Sequence, residues 1–331
     1  MLQSEVYMNS VTVGIVTFNG RQCIQRCLES VFAQTYKLLE VCVLDNGSND
    51  GTEEFIANNF PNVRIISSPI NLGFAGGHNE IIRKTQSDYV LALNQDAFLS
   101  PSFIQELLKA VSKQPDVGIV GGKLYSLRNG AAEVAETNII DMTWLDIEKK
   151  RRQVCYLHAC PDPGEPTEPR LAFAMDGAAM MLRRAMLKDV EIDGEFFDED
   201  FFAGKEDLDI SWRAQLYGWK CLYVPAAIGY HLRTFTPKDK RAAIPDSLRA
   251  SSIRNRYLLM IKNDQLKHIL SHIHHIVLYE LKIMGYIVLR EQSSLKGYAQ
   301  ALQLLPMAFK KRRTIMSKKQ VSGDYILSWF R

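Results

Sequence analysis

Two stretches decide the fold: Val11-Thr-Val-Gly-Ile-Val-Thr-Phe-Asn-Gly20 and Leu38-Leu-Glu-Val-Cys-Val-Leu-Asp-Asn-Gly47. Each is a run of β-branched and aliphatic residues closed by an Asx-Gly turn, the pattern of a strand buried on both faces. Between them, Arg21–Gln34 carries Ile24, Cys27, Leu28 and Val31 at helical spacing. The alternation continues outward. Asp50–Asn58 reads as a short helix with Ser48 or Asn49 as its cap, and Val63–Ile66 as a strand. Phe74–Lys84 is a helix after a glycine-rich turn, and Tyr89–Leu93 a buried strand. Pro101–Ser112 is a helix opened by Ser100-Pro101, and Val117–Val120 a further strand. The expected class is α/β, a mostly parallel sheet with helices on both faces.

Regularity is lost over Leu127–Arg170, which contains the proline-rich loop Pro161–Pro169, and returns at Leu171–Arg184. Glu206–Tyr217 reads as a helix ended by Gly218, and Trp219–Val224 as a strand stopped by Pro225. Leu266–Leu289 reads as one helix, with an apolar stripe running from Leu266 to Val288. The 331 residues suffice for one large domain plus an appendage. A net charge of +3 argues for no nucleic-acid partner, but the charge is uneven. Residues 251–331 hold 14 Lys/Arg against 4 Asp/Glu, a net +10, so the preceding 250 carry about −7. The six cysteines lack disulfide or zinc spacing and read as reduced thiols; Cys155-x-x-His158-x-Cys160 has no fourth ligand. Met1–Ser10 is polar, with no signal core, and no apolar run reaches the roughly 18 residues needed to cross a bilayer.

In an open parallel sheet, ligands bind beyond the carboxyl ends of the strands. Three such ends carry polar clusters: Thr17-Phe18-Asn19, Asp45-Asn46-Gly47-Ser48 and Asn94-Gln95-Asp96. No G-x-G-x-x-G is present, which disfavours a dinucleotide fold. Asn71–Asn79 is glycine-rich and opens a helix, so its N–H groups suit an anion. Asp96 follows a buried strand, where a carboxylate can hold a hard cation against a diphosphate. Seven acids lie between Glu195 and Asp209, interleaved with phenylalanines. On a helix from Glu206, residues Glu206, Asp209 and Arg213 share a face, while Asp207 points elsewhere at the first turn, toward a cleft. Acids also favour helix N-termini through the macrodipole, which accounts for one or two of the seven.

In order, Val-Thr-Phe-Asn19, Asp45–Thr52, Asn71–Asn79, Asn94-Gln-Asp96, Asp176-Gly-Ala178 and Glu206–Arg213 resemble the family-2 inverting glycosyltransferases over about Val11–Arg233. The branch they look most like is the bacterial rhamnosyltransferase type of O-antigen and cell-wall polysaccharide assembly. The resemblance implies a GT-A-type fold for residues 1–250 and a basic, amphipathic helical C-terminal extension for 251–331. It implies inverting transfer of a hexosyl group, rhamnose among the candidates, from a dTDP- or UDP-sugar to a saccharide or lipid-linked saccharide. Thr17, Asn19 and Asp45 would hold the base and ribose, and Asn71, Gly73 and Asn94 would border the nucleotide. Asp96 and His231 would hold a divalent cation, Mg²⁺ or Mn²⁺. Asp207 would be the catalytic base, with Asp176, Gly177 and Glu206 near the sugar or acceptor. Two positions depart from the family pattern: Asn94-Gln95-Asp96 carries one negative charge fewer, and His78 stands where many relatives carry arginine.

The basic tail, with the Leu266–Val288 stripe and Lys310-Lys-Arg-Arg313, points to an anionic membrane surface. The expected location is cytoplasmic, peripheral on the inner face of the cytoplasmic membrane. Two rivals remain at this level: a sugar-1-phosphate nucleotidyltransferase, and a non-catalytic nucleotide-sugar-binding subunit.

Overall fold

A computed structural model describes residues 9–127, 137–232 and 244–331. Arg233, the end of the resembling segment, lies outside the described residues. Thirteen strands are described: β1 (Val11–Thr17), β2 (Leu39–Asp45), β3 (Arg64–Ser67), β4 (Tyr89–Asn94), β5 (Ala97–Leu99), β6 (Val117–Ser126), β7 (Ile140–Met142), β8 (Trp144–Ile147), β9 (Gln153–Cys155), β10 (Arg170–Ala172), β11 (Ala174–Met175), β12 (Ala179–Arg183) and β13 (Lys220–His231). The helices of the body are α1 (Ile24–Phe32), α2 (Thr52–Asn59), α3 (Gly73–Lys84), α4 (Phe103–Val111), α5 (Arg184–Val190) and α6 (Glu206–Leu216). Those of the tail are α7 (Asp246–Asn263), α8 (Leu266–Ser271), α9 (Ile273–Arg290), α10 (Leu295–Gln303), α11 (Leu305–Ser317) and α12 (Gly323–Leu327).

The main sheet has the order β10-β13-β6-β12-β4-β1-β2-β3. Its β3, β2, β1 and β4 are mutually parallel, and β6 and β13 are parallel to each other; β12 runs antiparallel between the two groups. Helix α1 buries Ile24, Cys27, Leu28 and Val31, the stripe its spacing predicts. The register matters for the site. Thr17 pairs with Asp45, and Val16 with Asn94, so the polar strand ends lie side by side at one edge.

Five local expectations are corrected. Pro225 does not stop its strand: β13 continues to His231, and its pairing with β6 shifts between Val224 and Ile228, a bulge where proline withholds no ladder bond. The segment read as irregular contains β7, β8 and β9, and β11-β8-β9 form a second, small sheet. Neither Ser48 nor Asn49 caps α2; Asp50 accepts the Thr52 N–H at 3.1 Å, while Ser48 and Asn49 bind Asn19. The single helix expected over Leu266–Leu289 breaks at His272, whose Nδ1 meets Arg151 Nη1 at 2.9 Å.

The fifth correction concerns Lys310–Arg313, in which Lys311 and Arg312 are not free surface charges. Lys311 is buried and donates to Glu195 (2.9 Å), Asp198 (2.6 Å) and Asp200 (2.9 Å). Arg312 donates to the Ile261 and Asp264 carbonyls, both at 2.6 Å. Lys310 alone of these three pairs at the surface, with Asp193. From α7, Lys262 reaches Asp198 and Asp209. The boundary expected between residues 250 and 251 lies inside α7, and Leu258, Leu259, Ala308, Ile315 and Ile326 share one hydrophobic core with the sheet.

Truncating one partner of a buried charge cluster strands the others, so Lys311→Ala is expected to destabilise the fold by about 3–5 kcal/mol in urea unfolding. Lys310→Ala, at an exposed pair, should cost less than about 1 kcal/mol. Equal small losses in both variants would show that the cluster does not anchor the tail.

Candidate active site

The strand ends open onto two adjoining cavities. The first, about 270 Å³, is walled by Phe18, Asn71, Gly73, Asn94, Asp96 and Phe202, among others. The second, about 330 Å³, is walled by Asp176, Gly177, Lys205, Glu206, Asp207 and His231, among others. Phe74 and Asn94 belong to both walls.

Three residues expected at the nucleotide stand behind the first cavity and shape it. Thr17 Oγ1 donates to Gln95 Oε1 at 2.6 Å, and the same oxygen accepts the Phe18 N–H at 3.0 Å. Asn19 has φ +49°, in the left-handed region an asparagine tolerates, and its Oδ1 accepts the Asn49 N–H at 2.9 Å. Asp45 Oδ2 accepts the Ser48 N–H at 2.9 Å; its Oδ1 is buried without a partner. On the wall itself, Asn71 Oδ1 accepts the Gly73 N–H at 2.8 Å. Gly73 has φ +70°, and a Cβ there would meet the Phe202 carbonyl at 2.4 Å, so no other residue fits this turn. Gln95 takes the uncharged place in the acidic motif by tying β1 to β4. His78 is fully buried between Phe74 (4.3 Å) and Phe197 (5.9 Å), and burial pushes its pKa down to about 3. It is a neutral packing residue and no diphosphate contact.

Where the cavities meet, His231 Nε2 lies 3.3 Å from Asp96 Oδ1 and its Nδ1 lies 2.8 Å from Asp141 Oδ2. Burial opposes a charge on this imidazole, but Asp141 and Asp96 outweigh it and lift its pKa to about 9. The pair of carboxylates therefore favours positive charge at this point. With Asp141 accepting from Nδ1, a neutral His231 presents its Nε2 lone pair toward Asp96, the orientation of a metal-binding histidine with a carboxylate behind it. One carboxylate and one imidazole leave room for the phosphate oxygens and waters that Mg²⁺ or Mn²⁺ prefers. Asp141 was not legible in the sequence: it contacts His231 across 90 residues, in the segment without periodicity.

Asp207 sits at the first turn of α6. Its Oδ2 accepts the Gly177 N–H at 3.2 Å and its Oδ1 the Leu208 N–H at 2.7 Å. A Cβ on Gly177 would crowd Phe74 at 3.2 Å. Burial, then the neighbouring Asp176, push Asp207 up to about 7 against the pull of these two N–H groups. Burial, then Asp207, push Glu206 well above the usual range. Asp176 Oδ1 accepts the Ala178 N–H at 2.9 Å. Asp209 turns away, holding Arg213 at 3.0 Å. A carboxyl poised near neutrality beside a polar cavity can accept a proton from a bound hydroxyl.

A polar cavity at the carboxyl ends of parallel strands, adjoining one walled by a carboxyl poised near neutrality, is the arrangement of a ligand-binding α/β enzyme. The chain belongs to glycosyl transferase family 2, whose model matches residues 12–189. It is 26% identical, over 74% of its length and 82% of the relative's, to N-acetylglucosaminyl-diphospho-decaprenol L-rhamnosyltransferase of Mycobacterium tuberculosis. In structure it is similar to residues 1–349 of Staphylococcus aureus TarS in complex with UDP-GlcNAc (TM-score 0.57, 15% identity, 93% of this chain and 89% of that one). It is also similar to mannosyltransferase PcManGT of Pyrobaculum calidifontis with GDP-Man and Mn²⁺ (TM-score 0.54, 15% identity, 95% and 86%). These likenesses establish the GT-A-type fold. The protein is a glycosyltransferase, and the nucleotidyltransferase and non-catalytic readings are set aside.

The Asp207 assignment has a thermodynamic signature. Its folded pKa, about 7, lies above the ordinary 3.8, so between these values the native state keeps a proton that the unfolded chain has released. Ionising Asp207 therefore costs stability above about pH 7, a cost relieved as pH falls toward 3.8. Asp207→Asn is expected to exceed the wild type by roughly 2–4 kcal/mol at pH 8 and to match it near pH 4 in urea unfolding. A variant less stable at pH 8 would show the carboxylate to be paired instead of strained.

Proposed function

We propose that the protein is an inverting hexosyltransferase that moves sugar from a nucleotide-diphospho-sugar to a saccharide or lipid-linked saccharide in surface-polysaccharide synthesis. The observation that carries it is the adjacency of the two cavities across Asp96 and His231, with Asp207 on the far wall. The exposed faces of Phe18 and Phe202 at the first cavity suit a nucleobase. The diphosphate lies at Asp96. A divalent cation held by Asp96 and His231 would neutralise charge building on the leaving diphosphate. Asp207 takes the proton from the acceptor hydroxyl, whose oxygen attacks the anomeric carbon in line with the departing diphosphate. One displacement inverts that centre. UDP- and dTDP-hexoses are the donor classes proposed, and the mycobacterial relative's rhamnose and lipid-diphosphate acceptor are the first to try.

The protein works at the inner face of the cytoplasmic membrane, peripherally. No helix among the described residues is long and apolar enough to cross a membrane. Helix α9 buries only Ile276 and Ile287; Ile273, Val277, Leu278, Leu281, Val288 and Leu289 are exposed, as are Leu266 and Leu270 on α8. The exposed cations Lys282 and Arg290 stand on the same helix, and the one acid of α9, Glu280, is held by Arg256 and Tyr257. An apolar helix face edged by cations is what interfacial binding uses.

Three measurements test this reading. Asp207→Asn should retain donor binding while transfer falls by ~10²–10⁴-fold, and near-wild-type turnover rules the base out. Mn²⁺ should tighten nucleoside-diphosphate binding in the wild type but not in Asp96→Ala; binding indifferent to chelator and mutation means a metal-free site. The wild type should sediment with anionic liposomes, less so as the Debye length shrinks below ~8 Å, and Leu278→Glu/Leu281→Glu should abolish it. Sedimentation unchanged by that pair removes α9 from the membrane.

A further inference from the structure

Residues 202–205 form a strap that crosses from one cavity to the other. Phe202 and Ala203 stand on the wall of the Asp96 cavity, and Gly204 and Lys205 on the wall of the Asp207 cavity. Phe202, Gly204 and Lys205 have φ of +60°, +86° and +74°, a region that residues other than glycine rarely enter. Phe202, with ψ −67°, is the centre of a γ-turn of the strained kind, closed by the Ala203 N–H donating to the Phe201 carbonyl at 2.7 Å. Such a backbone persists only where its surroundings hold it. Phe202 itself is 43% exposed, so burial of its ring does not account for the hold.

The hold comes from two sides. From α3, the Ala75 N–H donates to the Phe202 carbonyl at 3.2 Å, and that carbonyl occupies the space a side chain on Gly73 would need. From α7, the fully buried Asn255 donates through Nδ2 to the carbonyls of Phe201 (3.0 Å), Ala203 (3.1 Å) and Gly204 (2.6 Å). The amide has two N–H groups to share among the three. Its Oδ1 accepts Arg254 Nε at 2.9 Å, and Arg254 Nη2 donates to the Phe201 carbonyl at 2.9 Å, which fixes the way the amide faces. Asn255 walls neither cavity. Its polar atoms are committed to a strap whose exposed ring faces a ligand cavity.

We propose that Asn255 is a positioning residue for the donor: it holds the strap in the turn that aims the Phe202 ring at the nucleobase. The inference rests on the nucleotide-diphospho-sugar reading above and adds a residue outside both cavities that sets donor affinity. A ring stacks on a base only at a suitable depth and tilt. A strap released from α7 relaxes Phe202 toward negative φ and turns its ring off the base. Asn71 and Asp96, on other walls of the cavity, keep their places.

The test measures UDP and dTDP binding with Mn²⁺ by calorimetry, on the full chain as wild type, Phe202→Ala, Asn255→Ala and the double variant. Phe202→Ala should weaken binding about tenfold, within what base–aromatic stacking supplies. Asn255→Ala should weaken it about fivefold in the wild type but less than about twofold in the Phe202→Ala background, because the ring it aims is gone. Arg254→Gln, at a half-buried position, releases Phe201 alone and provides the same test if Asn255→Ala does not fold. It should weaken binding about threefold, again only where Phe202 is present. Folded variants that bind as the wild type does would make Asn255 and Arg254 purely structural and overturn the proposal. Losses of equal size with and without the Phe202 ring would overturn it too, since they bypass the strap. A wild type that binds neither nucleotide removes the donor reading and this inference together, whereas wild-type binding without the coupling removes this inference alone.

Discussion

The structure turns on Asp198. Its carboxylate accepts Lys262 from α7 and Lys311 from α11, and Lys262 also reaches Asp209 on α6. Together the two lysines tie the tail to the acidic segment that leads into Asp207. A buried ion cluster is not in itself a large source of stability, since an apolar set of the same shape can do as well. What it supplies is position: a one-turn slip of α7 or α11 would leave buried carboxylates facing one another. The first turn of α6, and with it Asp207, is thereby held at the mouth of the sheet. The charge asymmetry of the sequence finds part of its cause here, because much of the acidic body's partner is the basic tail of the same chain.

Opposing influences on Asp207 nearly balance. The N-terminus of α6 and the Gly177 and Leu208 N–H groups favour its ionised form; burial and Asp176 oppose it. Loss of either side would leave a carboxylate too weakly basic at neutral pH or a carboxyl too rarely ionised. Gly177 contributes both to the balance, through its N–H, and to space, since any side chain there would meet Phe74.

The first 125 residues were legible because strands buried on both faces read as unbroken apolar runs and end in Asx-Gly turns. The lateral pairing of Thr17 with Asp45 then follows from parallel topology. The tail was legible only where its apolar stripe is exposed. Helix α7 hid its period because its inner face buries Asn255, Arg256, Lys262 and Asn263 beside Leu258 and Leu259, so polarity ceased to mark the solvent side. Pro225 misled because a bulge, invisible in sequence, removes the hydrogen bond that proline cannot make. Lys311 misled for the reason α7 hid: a basic run reads as surface unless the matching acids, more than a hundred residues away, are known. The carboxylates at the active site were visible as residue types in a run of acids, but Asp141 had no such company.

The family match ends at residue 189, and the division has a structural meaning. Strands β1, β2 and β4, the Asn71 turn and Asp96 all precede that point, and they wall the cavity suited to the nucleotide. Asp207 and His231 follow it, on α6 and β13. A sugar nucleotide presents the same base, ribose and diphosphate to every enzyme that uses it, so one parallel-sheet edge can serve many. The chain after residue 189 places Asp207 and His231 on the wall of the second cavity. Lys262, paired with Asp198 and Asp209, ties α7 to α6, while α9 turns Val277, Leu281 and Val288 outward, so one extension both fixes the helix that carries Asp207 and presents an apolar face.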